Sequence, residues 1–115
     1  HGRVIGIVGT LKVAIESTKI TLNNLAIENK KDIAIIPRVV EGAFEALMNN
    51  DIENHDKLII DTIHDMYKND KIEVLLLAQA SMYKIEEYVK KEIPIKIFSS
   101  PRIAMQYIQH VYFAN

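Results

Sequence analysis

The sequence predicts an α/β domain built on a parallel sheet, and three observations carry this prediction. Short apolar runs alternate along the chain with longer segments of helical periodicity. The runs are rich in Val, Ile and Leu, as are strands buried on both faces. The run over 74–77 passes through Ala78, Gln79, Ala80 and Ser81 directly into helical spacing. The element order βα, β, αα, βα, βα therefore predicts a flavodoxin-like three-layer sandwich with a four-stranded parallel sheet and right-handed crossovers.

Length and composition favour one ordinary globular domain over 1–115. The 115 residues suffice for one hydrophobic core. Fourteen basic and fifteen acidic residues leave a net charge of −1, so bulk charge predicts no nucleic-acid partner. The absence of cysteine excludes disulfides, thiolate metal sites and thiol nucleophiles. No apolar run approaches the roughly twenty residues that span a bilayer, so we expect a cytoplasmic protein with no membrane partner.

The first half of the chain predicts two strands and three helices. The strands cover 3–9 and 32–40, and the helices cover 15–30, 41–49 and 51–68. Pro37 is expected to end or bend the ladder of the second strand. Helical spacing predicts the inward-facing side chains. They are Ile15, Leu22, Leu25 and Ala26 in the first helix, Phe44, Leu47 and Met48 in the second, and Ile59, Ile63 and Met66 in the third.

The second half predicts the buried strand over 74–77, a helix over 81–91, a strand over 93–98 and a final helix. Ser100 and Pro101 suit the N-cap and first position of that last helix. Its inward-facing side chains are predicted to be Ile103, Ala104, Tyr107, Ile108 and Val111.

The carboxyl ends of the predicted strands gather hydroxyls and helix N-termini at one rim of the sheet. Such a rim is where parallel α/β sheets bind ligands, and helix N-termini there suit a carboxylate or a phosphate. Arg38 is also expected at this rim, which carries no Asp or Glu of the kind a receiver domain needs. The simpler alternative is that the hydroxyls only cap helices. The predicted substrate-binding residues are Thr10, Gln79, Ala80, Ser81, Ser99 and Ser100.

The sequence contains no complete catalytic, nucleotide-binding or metal-binding motif among those considered. Residues 81–84 read Ser-Met-Tyr-Lys, but the companion motifs of Ser-x-x-Lys acyl-transfer enzymes are absent. The two glycines of 6–9 lack dinucleotide spacing and no Walker pattern occurs, so no nucleotide cofactor is predicted. His55 and His64 are expected on different helix faces, which argues against a metal site. His55 is expected to cap its helix or to lie at the surface.

Two stretches resemble the Asp/Glu/hydantoin racemase superfamily. Residues 77–82 read Leu-Ala-Gln-Ala-Ser-Met and 94–101 read Pro-Ile-Lys-Ile-Phe-Ser-Ser-Pro, with further matches at 5–10 and 40–44. The resemblance covers nearly the whole chain and implies the second of two similar domains that face each other across an amino-acid site. The chain begins His1-Gly2 without Met, so we expect it to be part of a longer protein. The expected protein partner is an N-terminal domain or a homo-oligomer.

The resemblance implies cofactor-independent racemisation by two cysteines, one from each domain. Gln79 stands where the second-domain cysteine normally lies, and glutamine cannot transfer the α-proton. Thr10 matches the family's first threonine, whereas Val13 stands where a second is usual.

We therefore expect a racemase-like domain that contributes half of an active site for an amino acid or related small carboxylate, without ordinary two-cysteine racemisation. If it is an enzyme, the class is an isomerase or a related lyase. The alternative is a non-catalytic domain of the same fold that binds a small anion or mediates oligomerisation.

Overall fold

A computed structural model describes residues 3–78, 83–98 and 101–113. Its sheet has four strands, all parallel, in the order β2-β1-β3-β4. The strands are β1 (Arg3–Gly9), β2 (Ile33–Val39), β3 (Val74–Leu77) and β4 (Lys96–Phe98). The predicted flavodoxin-like α/β fold is therefore confirmed.

Five helices connect and cover the strands within the described residues. They are α1 (Lys12–Glu28), α2 (Ala43–Met48), α3 (Ile52–Asp65), α4 (Tyr83–Glu92) and α5 (Pro101–Ile108). Wider π-helical turns follow α3 over Met66–Asp70 and α5 over Gln109–Phe113. None of the described helices combines the length and apolar character that crossing a membrane requires.

The strand β3 divides the hydrophobic core between the two faces of the sheet. Its four residues are all fully buried, and alternate side chains point to opposite faces. Val74 and Leu76 pack with α1 and α5, whereas Leu75 and Leu77 pack with α3 and α4. Burial of each such side chain contributes about 1.5–3 kcal/mol. The continuous apolar run in the sequence is thus explained by a central strand covered on both sides.

Gly6 allows the end of α3 to approach β1. A Cβ atom at this position would lie 2.9 Å from Met66 Cε and 3.1 Å from Ile72 Cγ2. Met66 and Ile72 both belong to the core on the α3 face. A side chain at position 6 would therefore require the end of the Met66 side chain and the side chain of Ile72 to shift, and more so for a larger side chain.

Pro37 does not end or bend the ladder of β2, and that expectation was wrong. It lies inside the strand, in register with Ile7 of β1. Because β2 is an edge strand, its outer side needs no ladder hydrogen bond from residue 37. A proline in the middle of this edge also hinders pairing with another strand.

Most predicted inward-facing side chains lie in or against the core, but Phe44 and Leu47 are only half-buried and three others are exposed. Met48, Ile103 and Val111 are 60%, 56% and 52% exposed. In α2, the small side chains of Ala43 and Ala46 occupy the core position instead. Ile103 and Val111 belong to α5 and the turn after it, and both line a surface groove. Helical spacing thus identified the helices, but it predicted a wider buried face for them than the structure shows.

Candidate functional site

Thr10 lies at the carboxyl rim between the ends of two neighbouring strands. The N–H of Val40, just past β2, donates to the carbonyl of Gly9 at 2.9 Å. On the other side, the N–H of Ala78 donates to the carbonyl of Val8 at 2.9 Å. Thr10 follows directly and is 7% exposed. The backbone thus holds this predicted site residue at the centre of the rim.

The N-terminus of α1 opens beside Thr10 without a side-chain cap. Its N-cap residue is Leu11, whose backbone is extended as N-caps require but whose side chain accepts no hydrogen bond. No acidic residue lies in the first turn, and the first helical residue is Lys12. The first N–H groups of a helix lack intrahelical partners and carry about half a positive charge together. The lysine therefore adds to a positive potential that an anion would neutralise.

The N-terminus of α3 has the opposite arrangement. The carboxylate of its N-cap, Asp51, accepts a hydrogen bond from the N–H of Asn54 at 3.2 Å. Glu53 adds a second acidic side chain in the first turn. This helix end is satisfied by its own residues, and an external anion would be repelled.

Five of the six predicted site residues, Gln79, Ala80, Ser81, Ser99 and Ser100, lie outside the described residues. Their neighbours in the chain are described, however. Ala78 leaves the sheet beside β1, about 4.8 Å from it, which is the spacing of adjacent strands. Phe98 ends β4 in register with Leu76 of β3. Ala78 and Phe98, the last described residues before these two segments, thus lie at the same edge of the sheet as Thr10.

The guanidinium of Arg38 was expected at the rim, but it is paired with two carboxylates instead. Its guanidinium contacts Asp65 at 3.2 Å and Asp70 at 3.0 Å, on the α3 face of the sheet. These two acids lie at the end of α3 and in the turn after it, so the arginine ties β2 to that segment. Its charge is therefore compensated away from the candidate site.

His55 is buried, contrary to the surface or capping role expected for it. Its side chain is 7% exposed, and Nδ1 lies 2.8 Å from Oδ1 of Asp56. His64 is exposed and contacts the ring of Tyr88 edge-on, with centroids 6.4 Å apart. Within the described ranges, no three His, Asp or Glu side chains cluster closely enough to hold a metal ion.

Leu11 and Lys12 were expected at the rim, directly after Thr10, but they were not among the predicted binding residues. The predicted helix began at residue 15, so the true first turn was not recognised as a helix N-terminus. An apolar residue followed by lysine, where Ser, Thr, Asp or Asn usually stands, is the signal that could have identified it. Val13, which replaces the second threonine expected from the racemase resemblance, is 75% exposed.

No protein-family model, curated protein or solved structure matches this chain. The family resemblance and the function therefore remain matters for proposal.

Proposed function

We propose that this chain is a racemase-like domain whose carboxyl rim binds an amino acid or related small carboxylate, as half of an active site. The observation that carries the proposal is the uncapped N-terminus of α1, with Lys12 in its first turn and Thr10 buried beside it. Helix N-termini at the carboxyl edge of parallel sheets are favourable sites for anions. The racemase resemblance supplies the class of ligand.

We propose that this half-site binds the ligand carboxylate and that none of its own residues removes the α-proton of the ligand. A ligand carboxylate would accept hydrogen bonds from N–H groups of the first turn, and the charge of Lys12 would favour it. The Gln79 amide would contact the substrate but cannot act as a base near neutral pH. Any base that removes an α-proton would belong to the facing domain.

Ligand-dependent thermal unfolding tests the binding part of this proposal. Aspartate, glutamate and succinate should raise the unfolding temperature saturably, whereas their diamides should not. A ligand at 100 times its Kd would stabilise the domain by about 2.7 kcal/mol. If none of the three carboxylates stabilises the chain, the proposed function is wrong.

Two lysines of α1 provide a matched pair of variants for the same assay. Lys12→Met removes the charge next to the helix N-terminus and should weaken carboxylate binding about threefold. Lys19→Met removes the same charge about two turns further along the helix and should leave binding unchanged. Equal effects of both variants would argue against a site at the N-terminus of α1.

Proton exchange in deuterated water tests the role of Gln79. Enantiomers of aspartate and glutamate incubated with the chain should show no α-deuterium by NMR. Incorporation of deuterium by the unaltered chain would show that it carries its own base. That result would contradict the half-site assignment while leaving the carboxylate site intact.

A further inference from the structure

The open side of β4 borders an apolar groove. Within the described sheet, β4 pairs only with β3, so its other edge has no strand beside it. The adjoining groove encloses about 520 Å³. Its lining combines apolar side chains of the β4 segment and α5 with one ion pair of α4, namely Ile95, Phe98, Ile103, Tyr107, Glu86 and Lys90.

The helix α5 packs on the face of the sheet that does not suit a right-handed connection to a further strand beside β4. The crossover from β3 to β4 moves towards this edge, and its helix α4 packs on the α3 face. A right-handed crossover continuing in the same direction would need its helix on that same face. Instead, Ala104 and Ile108 of α5 pack with α1 on the opposite face. Among the residues that the structure describes, no strand pairs with the outer edge of β4.

The helices α4 and α5 both lie close enough to the β4 edge for each to pack against its own copy across a two-fold axis. Ile85 and Val89 of α4 share a core cluster with Ile97 of β4, and α5 contacts Phe98 through Tyr107, with ring centroids 5.0 Å apart. Each helix thus covers the β3–β4 pair. If two β4 strands lie about 4.8 Å apart, each helix and its symmetry mate are separated by about 10 Å, the distance of packed helices.

The charges at this edge are self-complementary. Nζ of Lys90 lies 2.8 Å from Oε2 of Glu86, one helical turn away on α4, and both residues line the groove. If α4 packs against an antiparallel copy of itself with the two-fold axis midway between these two residues, the members of the pair exchange neighbours. Glu86 then approaches Lys90 of the second copy, and Lys90 approaches Glu86 of the second copy.

We propose that this edge is a homodimer interface, in which β4 pairs antiparallel with β4 of a second copy and the two sheets join. A register centred on Ile97 places Lys96 opposite Phe98 of the second copy, so no two lysines stand face to face. The interface also buries Ile103 and Tyr107 of each α5. It is separate from the carboxyl rim and does not depend on ligand binding there.

Sedimentation equilibrium of the unaltered chain is the first test. The expected species is a dimer, with twice the 13.1 kDa mass of the chain. Ile103→Glu places a charge in the interface and should raise the dimer Kd about tenfold or more. Ile27→Glu is the control, because Ile27 is 73% exposed on α1, away from this edge. A monomer at every concentration, or dissociation by Ile27→Glu instead, would overturn the proposal.

Charge exchange supplies a sharper test of the two-fold geometry. Glu86→Lys and Lys90→Glu should each weaken self-association, because each chain then presents like charges to its copy. Mixing the two variant chains should restore a dimer containing one of each, detectable by native mass spectrometry. The double variant Glu86→Lys/Lys90→Glu should dimerise like the unaltered chain. Failure of the mixture to form the mixed dimer would overturn the proposed pairing of these residues.

Discussion

The N-termini of α1 and α3 belong to the same domain but differ in their capping and in the charge of their first turns. At α3, Asp51 caps the helix and Glu53 adds negative charge, so the chain satisfies this end with its own side chains. At α1, Leu11 provides no cap and Lys12 adds positive charge, beside the buried Thr10. This difference is the basis for the proposal that an external anion binds at the α1 end and not at the α3 end.

The largest expected effect comes from disturbing the close packing between β1 and the segment that follows α3. Gly6→Val would force a branched side chain against Met66 and Ile72, where a Cβ atom alone already approaches to 2.9 Å. We expect the free energy of unfolding to fall by about 3 kcal/mol, measured by urea denaturation.

Gly42→Ala is the comparison for this packing test. The nearest atom to an added Cβ there lies at 3.5 Å, so only the backbone φ of +84° opposes it. Its cost should be about 1 kcal/mol. A Gly6→Val variant as stable as the Gly42→Ala variant would contradict the close packing described for α3 on β1.

An Asp N-cap on α1, like that of α3, should stabilise the helix and weaken carboxylate binding at its N-terminus. Leu11→Asp places a carboxylate at the N-cap, which should stabilise the domain by about 1 kcal/mol and weaken ligand carboxylate binding about tenfold. Leu11→Ala, which offers no cap, should retain binding. Calorimetric titration measures the affinity and thermal unfolding measures the stability. Loss of binding in both variants would point to packing by Leu11 rather than to the open N-terminus.

Removing the cap of α3 is the reciprocal experiment. Asp51→Ala leaves the N–H of Asn54 without its 3.2 Å acceptor, and should lower the free energy of unfolding by about 1 kcal/mol. Carboxylate affinity should not change, because this helix end is not part of the proposed site. A fall in affinity comparable to that of Leu11→Asp would contradict the separation of the two helix ends.

The smallest expected effect concerns the end of the sheet opposite the rim. Hydrogen bonding from the Val4 N–H, together with Arg3, holds the pKa of the Glu73 carboxyl below its ordinary value of 4.5. Because the folded-state pKa is lowered, this contribution is present above pH 4.5 and is lost as pH falls through the folded-state pKa. Glu73 is 40% exposed, so the contribution should stay below about 1 kcal/mol.

Glu73→Gln tests this contribution by urea denaturation at several pH values. The stability difference from the unaltered chain should be constant near neutral pH and should shrink in acid, with carboxylate affinity at the rim unchanged at neutral pH. A difference that grows in acid would contradict the assigned direction of the pKa shift.

The sequence was sufficient for the fold because the apolar runs carry the information that determines it. Residues 74–77 were predicted to form a buried strand, and all four side chains are buried, two on each face of the sheet. Pro37 was misjudged because a sequence pattern does not tell an edge strand from an inner one. Met48 and Ile103 were misplaced because helical periodicity gives the mean direction of a face but not its width, which depends on the neighbouring elements.

The candidate site was less predictable from the sequence for a different reason. Thr10 was found because its position follows from the end of a strand, and the structure places it at the rim. Leu11 and Lys12 were expected at the rim but not as binding residues, because the absence of a side-chain cap is recognised only when the true start of α1 is known. His55 was misread because its burial depends on tertiary packing that its local sequence does not encode.

Titration of the ¹⁵N-labelled chain with aspartate, followed by two-dimensional NMR, tests directly whether a carboxylate binds at the N-terminus of α1. We expect saturable shifts of the backbone amides of Lys12, Val13 and Ala14 at the start of α1, and their loss in Leu11→Asp. The amides of Ile52, Glu53 and Asn54 at the start of α3 should remain unshifted. Saturable shifts at α3 without shifts at α1, or no saturable shifts at either helix end, would contradict the account.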